Sequence, residues 1–247
     1  MSLLQTLLDE KRSSLPGGLY HSTQIKLCYN SNRIEGSNLS EEQTRYIFET
    51  NTLDIPQGKV ADVDDIVETA NHFSAFDYIL EHGAEPLSEE LIKELHRILK
   101  SSTSDARKDW FAVGDYKKKP NQVGGLETTK PTEVSAKIAE LIESYNAKSE
   151  VTFDDIIDFH YRFERIHPFQ DGNGRVGRLI LFKECLKHDV MPFIIDDQKK
   201  LFYYRGLSEY EREKGFLLDT CRSAQDSYEK LVAYFEQDSD QAPTLIM

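Results

Sequence analysis

The run His167-Pro168-Phe169-Gln170-Asp171-Gly172-Asn173-Gly174-Arg175-Val176-Gly177-Arg178 gathers side chains that could do chemistry together. Gly172-Asn173-Gly174 lets the backbone turn tightly and approach a ligand closely. Leu179, Phe182 and Leu186 follow at helical spacing, so a helix opens at this turn. Its free N–H groups and positive dipole end make an anion site. Arg175 and Arg178, three apart, share a face of its first turn. Two guanidiniums there suit phosphate oxygens. Asp171 would repel that phosphate unless a cation intervened. Mg2+ held by one carboxylate plus phosphates resolves the conflict. His167 stands at the mouth of this site as a proton acceptor. A helix C-terminus at His167 favours its protonated form, whereas Arg175 and a metal oppose it; the sequence leaves the outcome open.

The same letters contain Gly172-x-Gly174-x-x-Gly177, the spacing of a dinucleotide-binding fingerprint. Val190 to Ile195 is a short apolar run and Asp196 follows it, as that reading would like. The fingerprint must follow a strand, however, and residues 153–166 have helical periodicity. The chain also lacks the strand–helix alternation of a dinucleotide fold. A dehydrogenase is therefore disfavoured.

The elements that must position these residues are helices. Thr152 precedes Phe153, Ile156, Ile157, Phe159, Phe163 and Ile166, one strong helix. Pro168 disfavours helical geometry at His167, so this helix ends there, and Phe169 is expected to pin the loop to the core. Upstream, Leu19, Thr23, Leu27 and Ile34 read as a helix stopped by Gly36. Ser40-Glu41-Glu42-Gln43 is a capping box for a short helix to about Thr50. Further helices are expected over 61–82, from Pro86-Leu87-Ser88 through Leu99, over 131–147, 173–188, 197–214 and 218–236. Residues 110–130, with Gly114, Pro120, Gly124 and Gly125, read as a loop or short hairpin.

The chain has 247 residues, and 43 acidic against 30 basic side chains give a net charge of −13. That length suits one large domain or two small ones. An acidic balance argues against nonspecific nucleic-acid binding, which needs a broad basic surface. No apolar run approaches the ~20 residues of a membrane span, and the first residues lack a basic, then apolar, signal pattern. Cys28, Cys185 and Cys221 are dispersed and odd in number, which excludes a disulfide framework or a cysteine zinc site and fits the cytoplasm. Each is expected to be a buried small hydrophobe.

The segment from His167 to Arg178 resembles the signature of the Fic (filamentation induced by cyclic AMP) family, His-x-Phe-x-(Asp/Glu)-Gly-Asn-Gly-Arg-x-x-Arg, at every defined position. The resemblance implies an all-α, Fic-like helical bundle with a small β-hairpin flap. It implies transfer of AMP from ATP, with Mg2+, to a Ser, Thr or Tyr hydroxyl of a target protein. Carried over position by position, His167 would take the hydroxyl proton and Asp171 would hold Mg2+. Gly172, Asn173, Gly174 and Arg175 would hold the phosphates, and Arg178 the γ-phosphate. Family members clamp their target with a hairpin flap by strand addition. Tyr116, Lys117, Lys118 and Val123 fall where that flap is expected. Tyr203 and Tyr204 fall where relatives contact the adenine.

Ser31-Asn32-Arg33-Ile34-Glu35-Gly36 resembles the (Ser/Thr)-x-x-x-Glu-(Gly/Asn) motif of members that restrain themselves with an N-terminal helix, matching at Ser31, Glu35 and Gly36. Glu35 could pair bidentately with Arg178 and take the guanidinium meant for the γ-phosphate. In-line geometry would then be lost, and phosphoryl-type catalysis depends on it.

The expected organisation is an N-terminal region, 1–59, with the inhibitory helix at about 20–36; a catalytic core, 60–215; and a helical extension, 216–247. The expected function is a protein adenylyltransferase autoinhibited by Glu35. Alternatives are a de-AMPylase, another phosphate-group transferase, a nucleotide-sensing binding module and a DNA-binding regulator, the last disfavoured by the acidic stretch from Asp226 to Asp240. Expected partners are ATP and an unidentified target protein, which could be the chain itself, with no membrane and no nucleic acid. A homodimer is compatible with this reading.

Overall fold

A computed structural model describes residues 2–241. Ten α-helices appear among them: α1 (Leu3–Ser13), α2 (Leu19–Glu35), α3 (Glu41–Thr50), α4 (Val63–Glu81), α5 (Glu89–Lys100), α6 (Val134–Asn146), α7 (Phe153–Ile166), α8 (Asn173–Lys187), α9 (Lys200–Glu209) and α10 (Gly215–Gln241). Between α5 and α6 lies an antiparallel hairpin, β1 (Gln122–Val123) and β2 (Leu126–Glu127), with Gln122 opposite Glu127. Gly124 and Gly125, at φ 58° and 79°, make its two-residue connection, which needs left-handed backbone at both positions. The architecture is all-α with one small hairpin, as the sequence leads one to expect.

Local chemistry explains most boundaries. Ser40 and Gln43 close a reciprocal capping box at α3, and Thr152 and Asp155 do so at α7. Gly36, left-handed at φ 108°, ends α2 and bonds back to the Arg33 and Asn32 carbonyls. The helix expected over 197–214 is shorter: a 3-10 turn at Asp197–Lys199 leads into α9, which ends before Tyr210. The last helix is longer than expected, running Gly215–Gln241; positions 242–247 of the expected extension lie outside the described residues. α1 is an addition, capped by Ser2 and burying Leu7.

α8 is the axis. Val176, Leu179 and Phe182 on it are fully buried, and α1, α2, α4, α5 and α7 all pack against it. A helix surrounded on all sides must be apolar nearly all round. Its exceptions are paired: Lys183 meets Glu184 at 2.7 Å and donates to the Glu85 carbonyl at 2.6 Å. One apolar cluster joins Leu7, Leu19 and Leu27 to Phe76, Phe182 and Tyr228. The helix carrying Glu35 is thus continuous with the core that carries His167. The three cysteines are free and buried, and no described helix is long and apolar enough to cross a membrane.

Candidate active site

α7 delivers His167 and α8 begins six residues later, at Asn173. Between them the loop is held by its own groups. Phe169 is fully buried and stacks on the His96 ring at 4.0 Å. Asn173 accepts from the Phe169 N–H at 2.8 Å and donates to its carbonyl at 2.9 Å. The Asn173 side chain therefore closes the loop instead of facing a ligand. Gly172 adopts φ 82°, a left-handed geometry that disfavours a side chain. His96 accepts the Gly114 N–H on Nδ1, so its Nε2 carries the proton and donates to the Asp171 carbonyl at 3.2 Å.

His167 is itself left-handed, at φ 52°, and its N–H donates to the Phe163 carbonyl at 2.9 Å. Nδ1 is buried without a hydrogen-bond partner. Burial, then the Lys117 ammonium, pushes its pKa down to about 4. The direction left open by sequence is thus decided: at neutral pH the imidazole is neutral, the form a general base requires.

Asp171 receives Lys100 at 2.6 Å and Arg175 at 3.1 Å, both on Oδ2. Burial pushes its carboxyl up, but Arg175 and Lys100 more than offset this and hold it well below the usual range. Oδ1 accepts from no described side chain, and the side chain is 48% exposed. One open carboxylate oxygen beside a helix N-terminus fits Mg2+ bound through a single carboxylate and phosphates. No cluster of three or more His, Cys, Asp or Glu suited to a metal occurs among the described residues. Arg175 is buried, with one terminal nitrogen on Glu68 and the other on Asp171.

Arg178 is also buried and points away from Asp171, to α2. It donates from Nε to Ser31 Oγ at 3.0 Å, and from a terminal nitrogen to the Ser31 carbonyl at 2.9 Å and to Glu35 at 2.7 Å. The expected bidentate fork is thus a single bond to Glu35, with Ser31 taking Nε and a second bond from the same terminal nitrogen. Burial alone would weaken the arginine's charge, but Glu35 restores it and raises the pKa. Gly174 makes this approach feasible: a Cβ there would lie 2.3 Å from Glu35 Oε1.

Tyr203 is fully buried, bonded to His160 Nε2 at 2.7 Å, and so is turned from any base-binding surface here. Tyr204 is 40% exposed and donates to the Ile34 carbonyl at 3.2 Å. The flap residues divide likewise. Val123 and Lys118 are exposed, whereas Tyr116 and Lys117 are buried at the hairpin's base. The Lys117 ammonium donates to Asn121 at 2.8 Å and Thr128 at 2.6 Å, and its backbone N–H to the Pro168 carbonyl at 2.9 Å. It anchors the flap instead of reaching from it.

Four contributors were not legible in sequence: Glu68 on α4, His96 and Lys100 on α5, and Glu164 on α7. Burial, then the Glu35 carboxylate, pushes the Glu164 pKa up to about 8. No spacing signal links residues so far apart; only the i to i+3 step from Glu164 to His167 could have been read.

Comparison with known proteins bears on the family and the fold. Residues 86–184 match the Fic/DOC family model. Protein adenylyltransferase fic-1 of Caenorhabditis elegans is 27% identical over 203 residues, covering 76% of this chain and 39% of the relative. Protein adenylyltransferase Fic of Aedes aegypti is 29% identical over 212 residues, covering 80% and 41%. The chain thus spans about two-fifths of the length of these curated relatives. A Fic domain containing signaling protein from Bacteroides thetaiotaomicron superimposes with a TM-score of 0.70 at 25% identity, covering 95% of this chain and 91% of its own. Fic-1 from C. elegans gives a TM-score of 0.73 at 20% identity, covering 95% and 72%, a likeness of fold. The His167–Arg178 signature lies within the segment that matches the Fic/DOC family model, and the helical bundle around it is similar to that of solved Fic domain proteins.

Proposed function

We propose that this chain is a protein adenylyltransferase held in a restrained state by Glu35. The observation that carries the reading is the Glu35–Arg178 pair at 2.7 Å, formed inside the site that also holds a neutral His167 and an open Asp171 oxygen. In the proposed reaction a hydroxyl oxygen of the target attacks the α-phosphorus of ATP and pyrophosphate leaves. His167 takes the hydroxyl proton. Backbone N–H groups at the start of α8 face the phosphates, and Arg178 meets the γ-phosphate once Glu35 releases it. A divalent cation on Asp171 supplies charge neutralisation of the α- and β-phosphates. The exposed hairpin offers backbone to an extended target segment.

The test uses ATP labelled at the α- or γ-phosphorus, Mg2+, and wild type beside Glu35→Gly. Label retained on protein from the α-position alone supports AMP transfer. Label from the γ-position means phosphate transfer, and no label from either in the folded, nucleotide-binding variant overturns the proposal.

A further inference from the structure

Four charged side chains from three helices and a loop form a closed ring beside the signature. Glu68 of α4 accepts Lys100 on one carboxylate oxygen and Arg175 on the other. Lys100 and Arg175 then meet again on a single oxygen of Asp171, at 2.6 and 3.1 Å. Signs alternate around the ring: Glu68, Lys100, Asp171, Arg175. Lys100 is 2% exposed, Arg175 5% and Glu68 14%, whereas Asp171 is 48% exposed. Three members are therefore walled in, and the fourth is half exposed, with an oxygen that meets no described side chain. Asp105 adds a contact to Lys100 at 3.3 Å.

We infer that Glu68 is a positioning residue, fixing Asp171 and Arg175 for the metal–nucleotide complex without touching it. Asp171 stands in a loop next to left-handed Gly172, and an aspartate there has several rotamers open to it. Two cations converging on Oδ2 select one, with Oδ1 outward. Those cations repel each other, and besides Asp171 itself, Glu68 is the one described residue that bonds both. Glu68 lies outside residues 86–184, so a helix beyond the matched family segment completes the site. This inference rests on the reading of the site as one for a metal-bound nucleotide.

Charge and positioning predict opposite signs for Glu68→Gln, which separates them. By charge alone, the variant makes the site one unit more positive and tightens an anionic nucleotide. By positioning, it loosens Asp171 and weakens the complex that needs the metal; outer-shell substitutions of this kind cost about 10–100-fold in affinity. The measurement is calorimetry of a non-hydrolysable ATP analogue, with and without Mg2+, on wild type, Glu68→Gln and Lys100→Met, each checked for folding by its thermal transition. Mn2+ titration followed by electron paramagnetic resonance gives a readout independent of activity. The expected result is a fall of ~10–100-fold with Mg2+ and a smaller change or a gain without it. Equal or tighter binding with Mg2+ in folded Glu68→Gln overturns the role of Glu68. Wild-type binding that ignores Mg2+ instead overturns the reading of the site, and this inference with it. Should Glu68→Gln not fold, Lys100→Met, which cuts the ring between Glu68 and Asp171, must show the same metal-specific loss or the inference fails.

Discussion

At the scale of residues, the site is a set of charges kept in chosen states by what surrounds them. His167→Ala is expected to lower transfer by ~10²–10⁴-fold, the usual worth of a general base, while nucleotide binding persists. Because burial and Lys117 place the His167 pKa at about 4, the neutral form dominates above that value. Transfer should show no protonation step near pH 6.5; an inflection there that vanishes in His167→Ala would contradict the neutral imidazole. Glu35→Gly should raise transfer. If the Glu35–Arg178 bond favours the restrained state by ~2–3 kcal/mol, the gain is roughly 30–150-fold. Arg178→Ala should not reproduce it, since that change also removes the group for the γ-phosphate. Autolabelling from α-labelled ATP compares the three proteins. His167 to Arg178 were readable in sequence because they are contiguous and their types name one chemistry. Glu68, Lys100 and His96 were not, because they are brought there by the tertiary packing of two other helices, α4 and α5. In isolation each looks like an ordinary helical residue.

At the scale of elements, most helices were legible from apolar stripes and caps. The α9 region was harder. Its apolar residues continue through Tyr210, but the chain breaks at Tyr210–Lys214 before α10 starts. Leu3, Leu4, Leu7 and Leu8 behind the Ser2 cap are the signal for α1, brief beside the longer stripes. The flap shows why position alone misleads: Tyr116 and Lys117 precede the strands and fold under them, because the aromatic ring and lysine stem gain more from burial than from solvent. Lys117→Met is expected to act at this scale. It frees the hairpin's base from Asn121 and Thr128 and removes the cation that depresses His167. With that charge gone, protonating His167 becomes less costly, so its pKa should rise from about 4 toward the ordinary histidine value. Histidine nuclear magnetic resonance titration reads this directly; an unchanged His167 titration would refute the coupling of flap and base.

At the scale of the whole molecule, stability should be sensitive to acid. Burial, then the Arg178 and Arg175 charges, pushes His72 down to about 3; burial, then Arg178, does the same to His160, and His167 lies at about 4. Each folded value is below the unfolded one, so each contribution is fully present above pH 6.5. It is lost as pH falls through the folded value, at up to about 1.4 kcal/mol per pH unit per proton. Glu164, raised to about 8, works oppositely, costing stability as pH rises from 4.5 to 8. Burial, then the Lys100 charge, pushes His96 to about 3 as well, and these four groups against one make the acid side dominant. The urea midpoint should fall steadily from pH 6.5 to 4.5, where about three protons net are taken up on unfolding. A flat profile in that window would mean that these histidines titrate normally.

The bond between Glu35 and Arg178 has a consequence for how long an active molecule lasts. Arg178 is 4% exposed and Glu35 30%. Losing the carboxylate strands a buried cation; for fully buried pairs this costs ~3–5 kcal/mol, and solvent at Glu35 reduces it to ~1–3 kcal/mol. The Glu35→Gly protein without nucleotide should therefore melt ~3–10 °C below wild type. Nucleotide phosphate replaces the missing counter-ion, so saturating ATP should raise the variant's melting temperature more than that of wild type. Differential scanning fluorimetry with and without ATP measures both shifts; equal ligand shifts in the two proteins would refute the exchange of counter-ions. On the proposed reading, the form that keeps the Glu35–Arg178 bond would endure a shortage of ATP, whereas a released form would depend on ATP for its own persistence and be the first copy lost when ATP runs low.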